Sequence, residues 1–268
     1  MKYIKLFEKL VGEISINNML KYLDGMSYGI QDKLFFIDKI DFDCVVDFGS
    51  ANGVLLKEIK SINPNIVTIA YDIDKKMLNI LKKEKKIDFV SNNLSEIFEQ
   101  LKYFNNPVLV LSSVIHEIYS YSNKIEIEMF WNVIFNSTFK YIIIRDMMPK
   151  ENYKYFNLTD YEINEIYNYS EKYQIDTFEK KWGKISDNYL NVLHYLLKYK
   201  YIENWERELN ENYLPISIEK LKKIIPKNWS IYFEEHYLLP YLKKIVKDDF
   251  DIKLKNPSHL KIILKNGS

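Results

Sequence analysis

Val45-Val46-Asp47-Phe48-Gly49-Ser50-Ala51-Asn52-Gly53-Val54-Leu55-Leu56 is the stretch on which the fold turns. Cys44-Val45-Val46 ahead of it is a short apolar run that predicts a buried strand, and Val54-Leu55-Leu56-Lys57-Glu58-Ile59 opens a helical pattern. Between them stand Gly49 and Gly53, from a chain with only 7 glycines. Strand, glycine turn and helix together aim free backbone N–H groups at a ligand. Glycine is expected there because a tight turn needs positive φ and because a Cβ would hold the ligand off. A dinucleotide fold asks for Gly-x-Gly-x-x-Gly, with a pyrophosphate on the helix N-terminus. Here Ala51 stands two places after Gly49, and Asp47 two places before it. A carboxylate is a poor neighbour for a diphosphate and a good one for an ammonium or sulfonium.

The pattern Asp47-x-Gly49-x-x-x-Gly53 resembles the first motif of class I S-adenosylmethionine (SAM)-dependent methyltransferases. The resemblance implies a SAM site on this turn, with Asp47, Gly49, Ser50, Ala51 and Gly53 contributing. Ile66 to Tyr71 is β-branched and apolar, a second buried strand. Tyr71-Asp72-Ile73-Asp74-Lys75-Lys76-Met77-Leu78 resembles the family's second motif, which gives Asp72 the ribose hydroxyls, with Ile73 beside it. A carboxylate roughly twenty residues after the glycine turn can accept both hydroxyls. Asp74 suits the N-cap of a helix from Lys75 to Lys83. A third strand, Asp88 to Ser91, leads into Asn92-Asn93-Leu94. The family commonly has an acidic residue here for the adenine amino group. The Asn93 carbonyl can accept the same bond, with Asn92 in the same shell and Leu94 against the adenine face.

The fourth strand is Pro107 to Leu111 and the fifth Tyr141 to Ile144, with a helix from Lys124 to Ser137 between them. Ser112 and Ser113, at the end of the fourth strand, complete the implied cofactor shell. Strands alternating with helices predict an α/β fold: a doubly wound, seven-stranded, mostly parallel sheet. The last strand, His259 to Leu264, is antiparallel by resemblance. Residues 1–40 are expected to form an N-terminal helical cover. Leu6, Leu10, Val11 and Ile14 recur at helical spacing, a hinge lies around Gly25 and Gly29, and Ile30, Leu34, Phe35, Ile37 and Ile40 suggest a further helix. Residues 41–148 and 216–268 then make the Rossmann-like cofactor domain. Residues 149–215 break the alternation as a helical, aromatic-rich cap insertion over the acceptor pocket, and most of its Tyr and Trp side chains are expected in its core.

Methyl transfer from a sulfonium is an in-line displacement, so the protein has chiefly to align donor and acceptor and exclude water. His116 follows the fourth strand and titrates near neutral pH when unperturbed, which makes it the candidate base. Glu117 orients it or acts itself. Arg145 and Asp146 fit either a pocket wall or an internal ion pair, and His236 fits a structural role.

Cys44 is the only cysteine, which excludes an internal disulfide and multi-cysteine metal sites. No metal is expected. Lys plus Arg (38) balances Asp plus Glu (37), so no global field favours nucleic acid or membrane. There is no signal-peptide core and no apolar run long enough to span a bilayer, so the expected location is cytoplasmic. Leu111-Ser112-Ser113-Val114 lacks the Asp/Asn-Pro-Pro-Tyr/Phe of enzymes that methylate exocyclic base amines. The resemblance implies a SAM-dependent methyltransferase acting on an O or N acceptor, a small molecule or RNA, with S-adenosylhomocysteine (SAH) as product. Two alternatives stand beside it. A nicotinamide-dependent oxidoreductase is disfavoured by Asp47 and Ala51, and a non-catalytic SAM-binding or scaffold module would keep the fold alone.

Overall fold

A computed structural model describes residues 29–267. The helices expected within residues 1–28 lie outside the described residues. Seven strands form one sheet in the order β3-β2-β1-β4-β5-β7-β6. They are β1 (Cys44–Phe48), β2 (Val67–Tyr71), β3 (Phe89–Ser91), β4 (Pro107–Ser112), β5 (Tyr141–Met147), β6 (Trp229–Tyr237) and β7 (His259–Asn266). The first five run parallel, and β7 pairs antiparallel with both β5 and β6. β1 to β5 and β7 fall where the sequence puts strands, and β6 contains the short apolar stretch Ser230-Ile231-Tyr232-Phe233. The order reverses between β1 and β4, which leaves a crevice at their carboxyl ends.

Alternation along the central strands explains why both sheet faces are apolar. Cys44, Val46 and Phe48 of β1, Leu109 and Leu111 of β4, and Ile142 and Ile144 of β5 enter one core. Val45, Val108, Val110 and Ile143 enter the other. Helices α1 (Ile30–Lys33), α2 (Val54–Ile62) and α3 (Lys75–Leu81) lie over the second core. Helices α4 (Leu94–Leu101), α5 (Ile115–Tyr121), α6 (Lys124–Phe135) and, beyond the insertion, Ile218–Ile224 cover the first.

Residues 30–40 do not make the continuous helix that their apolar spacing suggests. After the single turn of α1 the chain closes three-residue turns, Ile37 N–H to Leu34 O and Lys39 N–H to Phe36 O, which send Leu34, Phe36 and Ile40 into the core. Conversely, α4 and α5 are too short and too interrupted to be read as helices from periodicity.

Residues 149–215 are mainly helical: α7 (Asp160–Tyr169), α8 (Lys172–Trp182), α9 (Tyr189–Leu196) and α10 (Trp205–Asn210) precede α11 (Ile218–Ile224) and α12 (Pro240–Phe250). They have their own core, and that core takes in Leu242, Val246 and Phe250 of α12 together with Ile252 and Leu254. A boundary at residue 216 therefore separates side chains that pack together. Tyr153, Tyr189, Tyr195, Tyr199, Trp205 and Tyr213 are buried, while Tyr155, Tyr161, Tyr169 and Tyr173 are exposed. No helix among the described residues is long and apolar enough to cross a membrane.

Candidate functional site

The glycine turn is built as its residue types require. Gly49, Ala51 and Gly53 all have positive φ (78°, 47° and 70°), and Gly53 caps α2 in the left-handed conformation. What a Cβ would strike there is protein, not ligand. At Gly49 it would lie 3.1 Å from Val114 Cγ2, and at Gly53 2.5 Å from Ile87 Cδ1 and 2.9 Å from Leu81 Cδ2. Gly49 thus lets the loop after β4 press against the turn, which places the segment carrying His116 beside it.

Behind the turn opens a cleft lined by Lys33, Asp47, Gly49, Ser50, Ala51 and Ser112, with Ile30, Asn52, Val54 and Leu55. Asp47 is 5% exposed, and its carboxylate accepts no hydrogen bond from any described residue. Burial pushes its pKa up to about 7; the Lys33 charge pulls it down, and Asp72 adds to the rise. The Ser112 Oγ is buried without a hydrogen-bond partner. A buried carboxylate with only the Lys33 charge near it and an orphan hydroxyl in the wall of one cleft are costly unless a ligand meets them.

Asp72 stands at the end of β2 and braces the turn. Its Oδ2 accepts from Ala51 N–H at 2.8 Å and its Oδ1 from Asp74 N–H at 2.9 Å. Burial raises its pKa to about 6 against those two bonds. Asp74 caps α3 through Lys76 N–H, as expected. Ser50 spends its hydroxyl on the Asp47 and Tyr71 carbonyls. Asn93 caps α4, its Oδ1 accepting from Ser95 N–H at 3.0 Å. Ser113, with φ 57°, accepts from Arg145 Nη1 at 2.9 Å. Gly53, Asp72, Ile73, Asn92, Asn93, Leu94 and Ser113 are not in the wall of the cleft. Lys33 is, and sequence reasoning missed it, because only the fold brings α1 over Asp47.

His116 and Glu117 lie in the first turn of α5. His116 is 5% exposed, and its Nδ1–H donates to Asp146 Oδ1 at 2.9 Å, which turns Nε2 toward the cap. Burial alone would lower the imidazole pKa. Asp146, then Glu211 and Glu117, outweigh it and raise the value to about 9. Asp146 itself is held below the usual range by His116 and by backbone N–H donors, against the effect of burial. Arg145 and Asp146 do not pair with each other, since adjacent strand residues face opposite sides of the sheet. Arg145 goes instead to Asp32 of α1, at 2.8 Å. His236 sits in β6, 3.6 Å from Glu234, away from this cluster.

The cap supplies what the sequence did not reveal. Glu211, 1% exposed, brings its Oε2 to 3.8 Å from His116 Nε2. Arg207 donates to Glu211 Oε1 (2.9 Å) and to Glu117 Oε1 (3.0 Å), and Tyr121 OH to Glu211 Oε1 (3.1 Å). The Tyr213 ring meets the His116 ring edge-on, with centroids 4.9 Å apart. Burial and the Glu211 charge raise the Glu117 pKa. Nothing local in Glu206-Arg207-Glu208-Leu209-Asn210-Glu211 signals this, beyond an Arg and a Glu four residues apart on one helix face.

No protein-family model matches the chain, and no curated protein matches it. Among solved structures it is similar to the plantazolicin methyltransferase BamL in complex with a triazolic desmethylPZN analog and SAH. The identity is 12%, over 99% of this chain and 96% of that one, with a TM-score of 0.50. It is also similar to the methyltransferase domain of bacterial CtHen1-C (10%; 89% and 97%; TM-score 0.45). Human N-acetylserotonin methyltransferase in complex with SAM gives 12%, 93% and 55%, with a TM-score of 0.44. The first likeness, joined to the sheet order above, establishes the class I methyltransferase fold.

Proposed function

We propose that the chain is a SAM-dependent methyltransferase that binds SAM in the cleft behind the glycine turn and transfers its methyl group to an O or N acceptor on a small molecule. One observation carries the reading: Asp47 is a buried carboxylate that lines a cleft at the crevice of a class I methyltransferase fold and accepts no hydrogen bond from any described residue. A cationic amino-acid end would supply the missing partner, and the glycine turn would admit the nucleoside. Asp72 is the ribose ligand in this reading, with oxygen lone pairs remaining after its two backbone bonds. Asn93 is left its cap, so adenine is held mainly by apolar contact near Leu94.

The acceptor sits between α5 and the cap, where His116 and Glu117 touch it. That region carries Asp146, Glu117 and Glu211 against Arg207 and the His116 imidazolium, a near-balanced set with no basic excess for a phosphate backbone, which favours a small acceptor over RNA. Calorimetry with SAM, SAH and NAD tests the cofactor, and SAM and SAH are expected to bind while NAD does not. Radiolabelled methyl transfer to metabolite, RNA and protein fractions then tests the acceptor class. His116→Ala is expected to lower transfer while SAM affinity stays within about threefold, under about 1 kcal/mol. SAM binding without transfer to any fraction would favour the non-catalytic module. A chain that ignores both SAM and SAH would sink the reading.

A further inference from the structure

His116, Glu117 and Glu211 converge from two parts of the chain that sequence order keeps almost a hundred residues apart. One ligand atom from each, the imidazole nitrogen and a carboxylate oxygen from either glutamate, lies within 4.8 Å of the other two. We propose that these three residues form a binding site for one divalent first-row transition-metal ion, of the zinc or manganese type, at the seam between α5 and the cap.

Three features of the geometry carry this. First, the imidazole is presented as a metal ligand is. A ligating histidine typically donates its other ring N–H to a carboxylate, which fixes ring orientation and strengthens the free nitrogen as a donor. His116 does so through Nδ1 to Asp146 at 2.9 Å, and Asp146 is itself held by the Ile115 and Met147 N–H groups at 2.7 and 2.8 Å. Second, two atoms on deeply buried side chains face one gap without a hydrogen bond between them. His116 Nε2 and Glu211 Oε2 face each other as an ion pair at 3.8 Å, beyond hydrogen-bond length, which leaves room for an ion between them. Third, Arg207 donates to Oε1 of both glutamates, so one guanidinium ties the two carboxylates together beside the imidazole.

Distances and charge fit a small divalent ion. Zinc takes imidazole nitrogen and carboxylate oxygen at about 2.0–2.2 Å in a tetrahedral array, so two ligands of one ion stand about 3.4 Å apart. The 3.8 Å pair needs a closure of roughly 0.4 Å and the widest spacing one of up to roughly 1.4 Å, which rotation of the two carboxylates has to supply. Once an ion displaces the His116 imidazolium proton, Asp146, Glu117 and Glu211 against Arg207 leave two negative charges at the gap, which one divalent ion balances. One imidazole with two carboxylates suits zinc or manganese better than magnesium, which prefers all-oxygen sites. Three protein ligands would leave positions open toward the acceptor region.

The experiment uses the full chain, stripped with a chelator and without SAM, so it does not depend on the methyltransferase reading. Calorimetric titration with Zn²⁺, Mn²⁺ and Mg²⁺, and Co²⁺ followed by its visible absorption, should show one equivalent of Zn²⁺ per chain, with Mg²⁺ binding at least about a hundredfold more weakly. Glu117→Gln and His116→Gln should each weaken Zn²⁺ binding about tenfold or more and alter the Co²⁺ spectrum, in protein whose circular dichroism matches the parent. Asp146→Asn should weaken it about 10–100-fold through the ring it orients. If Glu211→Gln fails to fold, Glu117→Gln decides, because that side chain is partly exposed. No uptake tighter than about 100 µM by the parent, or uptake unchanged in both Glu117→Gln and His116→Gln, overturns the site.

Discussion

The Asp146 carboxylate accepts the His116 Nδ1–H at 2.9 Å, and both side chains are buried where β5 meets the first turn of α5. The same carboxylate accepts the Ile115, His116 and Met147 N–H groups, so it fixes the start of the helix and the plane of the ring together. Asp146→Asn keeps the size and loses the charge, and it turns one acceptor into a donor facing an N–H. Denaturant unfolding should show a loss of about 1–3 kcal/mol. Methyl transfer should fall by about 10²-fold with SAM affinity within about threefold, because proton handling and alignment are lost while the cofactor cleft is untouched. Turnover equal to the parent would leave the Asp146–His116 pair with a folding role only.

Asp47 provides the pH test. Its pKa in the ligand-free protein is raised to about 7 by burial, although Lys33 opposes the rise. A cationic ligand prefers the ionised form, so SAM affinity should climb as pH rises from 6 to 7.5, and binding near pH 6.5 should release a proton. Buffers of different ionisation enthalpy reveal that release in calorimetry. The stability sign runs the other way. A carboxyl whose folded pKa exceeds its unfolded value costs stability above the folded pKa and nothing below the unfolded one. Asp47→Asn should therefore unfold at higher denaturant than the parent at pH 8, and lose that advantage as pH falls from 7 toward 4. The gain is at most about 4 kcal/mol. Its SAM affinity should drop about tenfold or more and lose its pH dependence. A flat pH profile for the parent would remove Asp47 from the binding site.

The contrast between Asp47 and Lys33 explains what could be read before the fold was known. Asp47, Gly49 and Gly53 lie within seven residues, and their spacing is set by one strand, one turn and one helix, so local chemistry betrays them. Strands β1, β2, β4 and β5 are legible for a similar reason, since strands buried on both faces demand uninterrupted apolar runs. Lys33 reaches the cleft because α1 is tied to β5, and Glu211 reaches His116 because the cap core closes on itself. Both placements depend on packing over long sequence separations, which no window of residues encodes. Asn93 is a different case. An asparagine after a strand suits an adenine contact and a helix cap equally, and the short helix α4, too brief to announce itself by periodicity, decides for the cap.

Gly53→Ala separates backbone strain from crowding. The residue has φ 70°, and an added Cβ would lie 2.5 Å from Ile87 Cδ1 and 2.9 Å from Leu81 Cδ2. Positive φ alone costs a non-glycine residue about 1 kcal/mol, and overpacking adds about 1–3 kcal/mol. The single variant should lose about 2–4 kcal/mol in denaturant unfolding. Ile87→Val removes the nearest methyl, so the double variant should recover more than the sum of the two single changes permits. Simple additivity would mean that crowding against Ile87 contributes nothing.

Asp32 is the pin that holds α1 over the sheet. Its Oδ2 accepts from Arg145 Nε and Nη2 at 3.0 and 2.8 Å and from Tyr237 OH at 2.5 Å, while Lys261 reaches its Oδ1 at 2.6 Å. Burial would raise its pKa; Arg145, Lys261 and Tyr237 more than offset that and hold it below the ordinary carboxylate range. Its contribution is therefore present at neutral pH and lost only as pH falls below about 4. Asp32→Ala leaves Arg145 and Lys261, both mostly buried, facing each other without the shared carboxylate. The expected loss is about 3 kcal/mol, the scale for breaking a buried pair from one side. Salt should not restore it, because screening acts weakly on buried charges. Lys33, the next residue, should also lose its place over Asp47, so SAM affinity should change in Asp32→Ala even though Asp32 does not line the cleft. Urea unfolding with and without 1 M NaCl (roughly a 3 Å screening length), alongside SAM calorimetry, checks both consequences. A loss below about 1 kcal/mol, in the range of an exposed pair, would show that α1 is held by its apolar contacts alone.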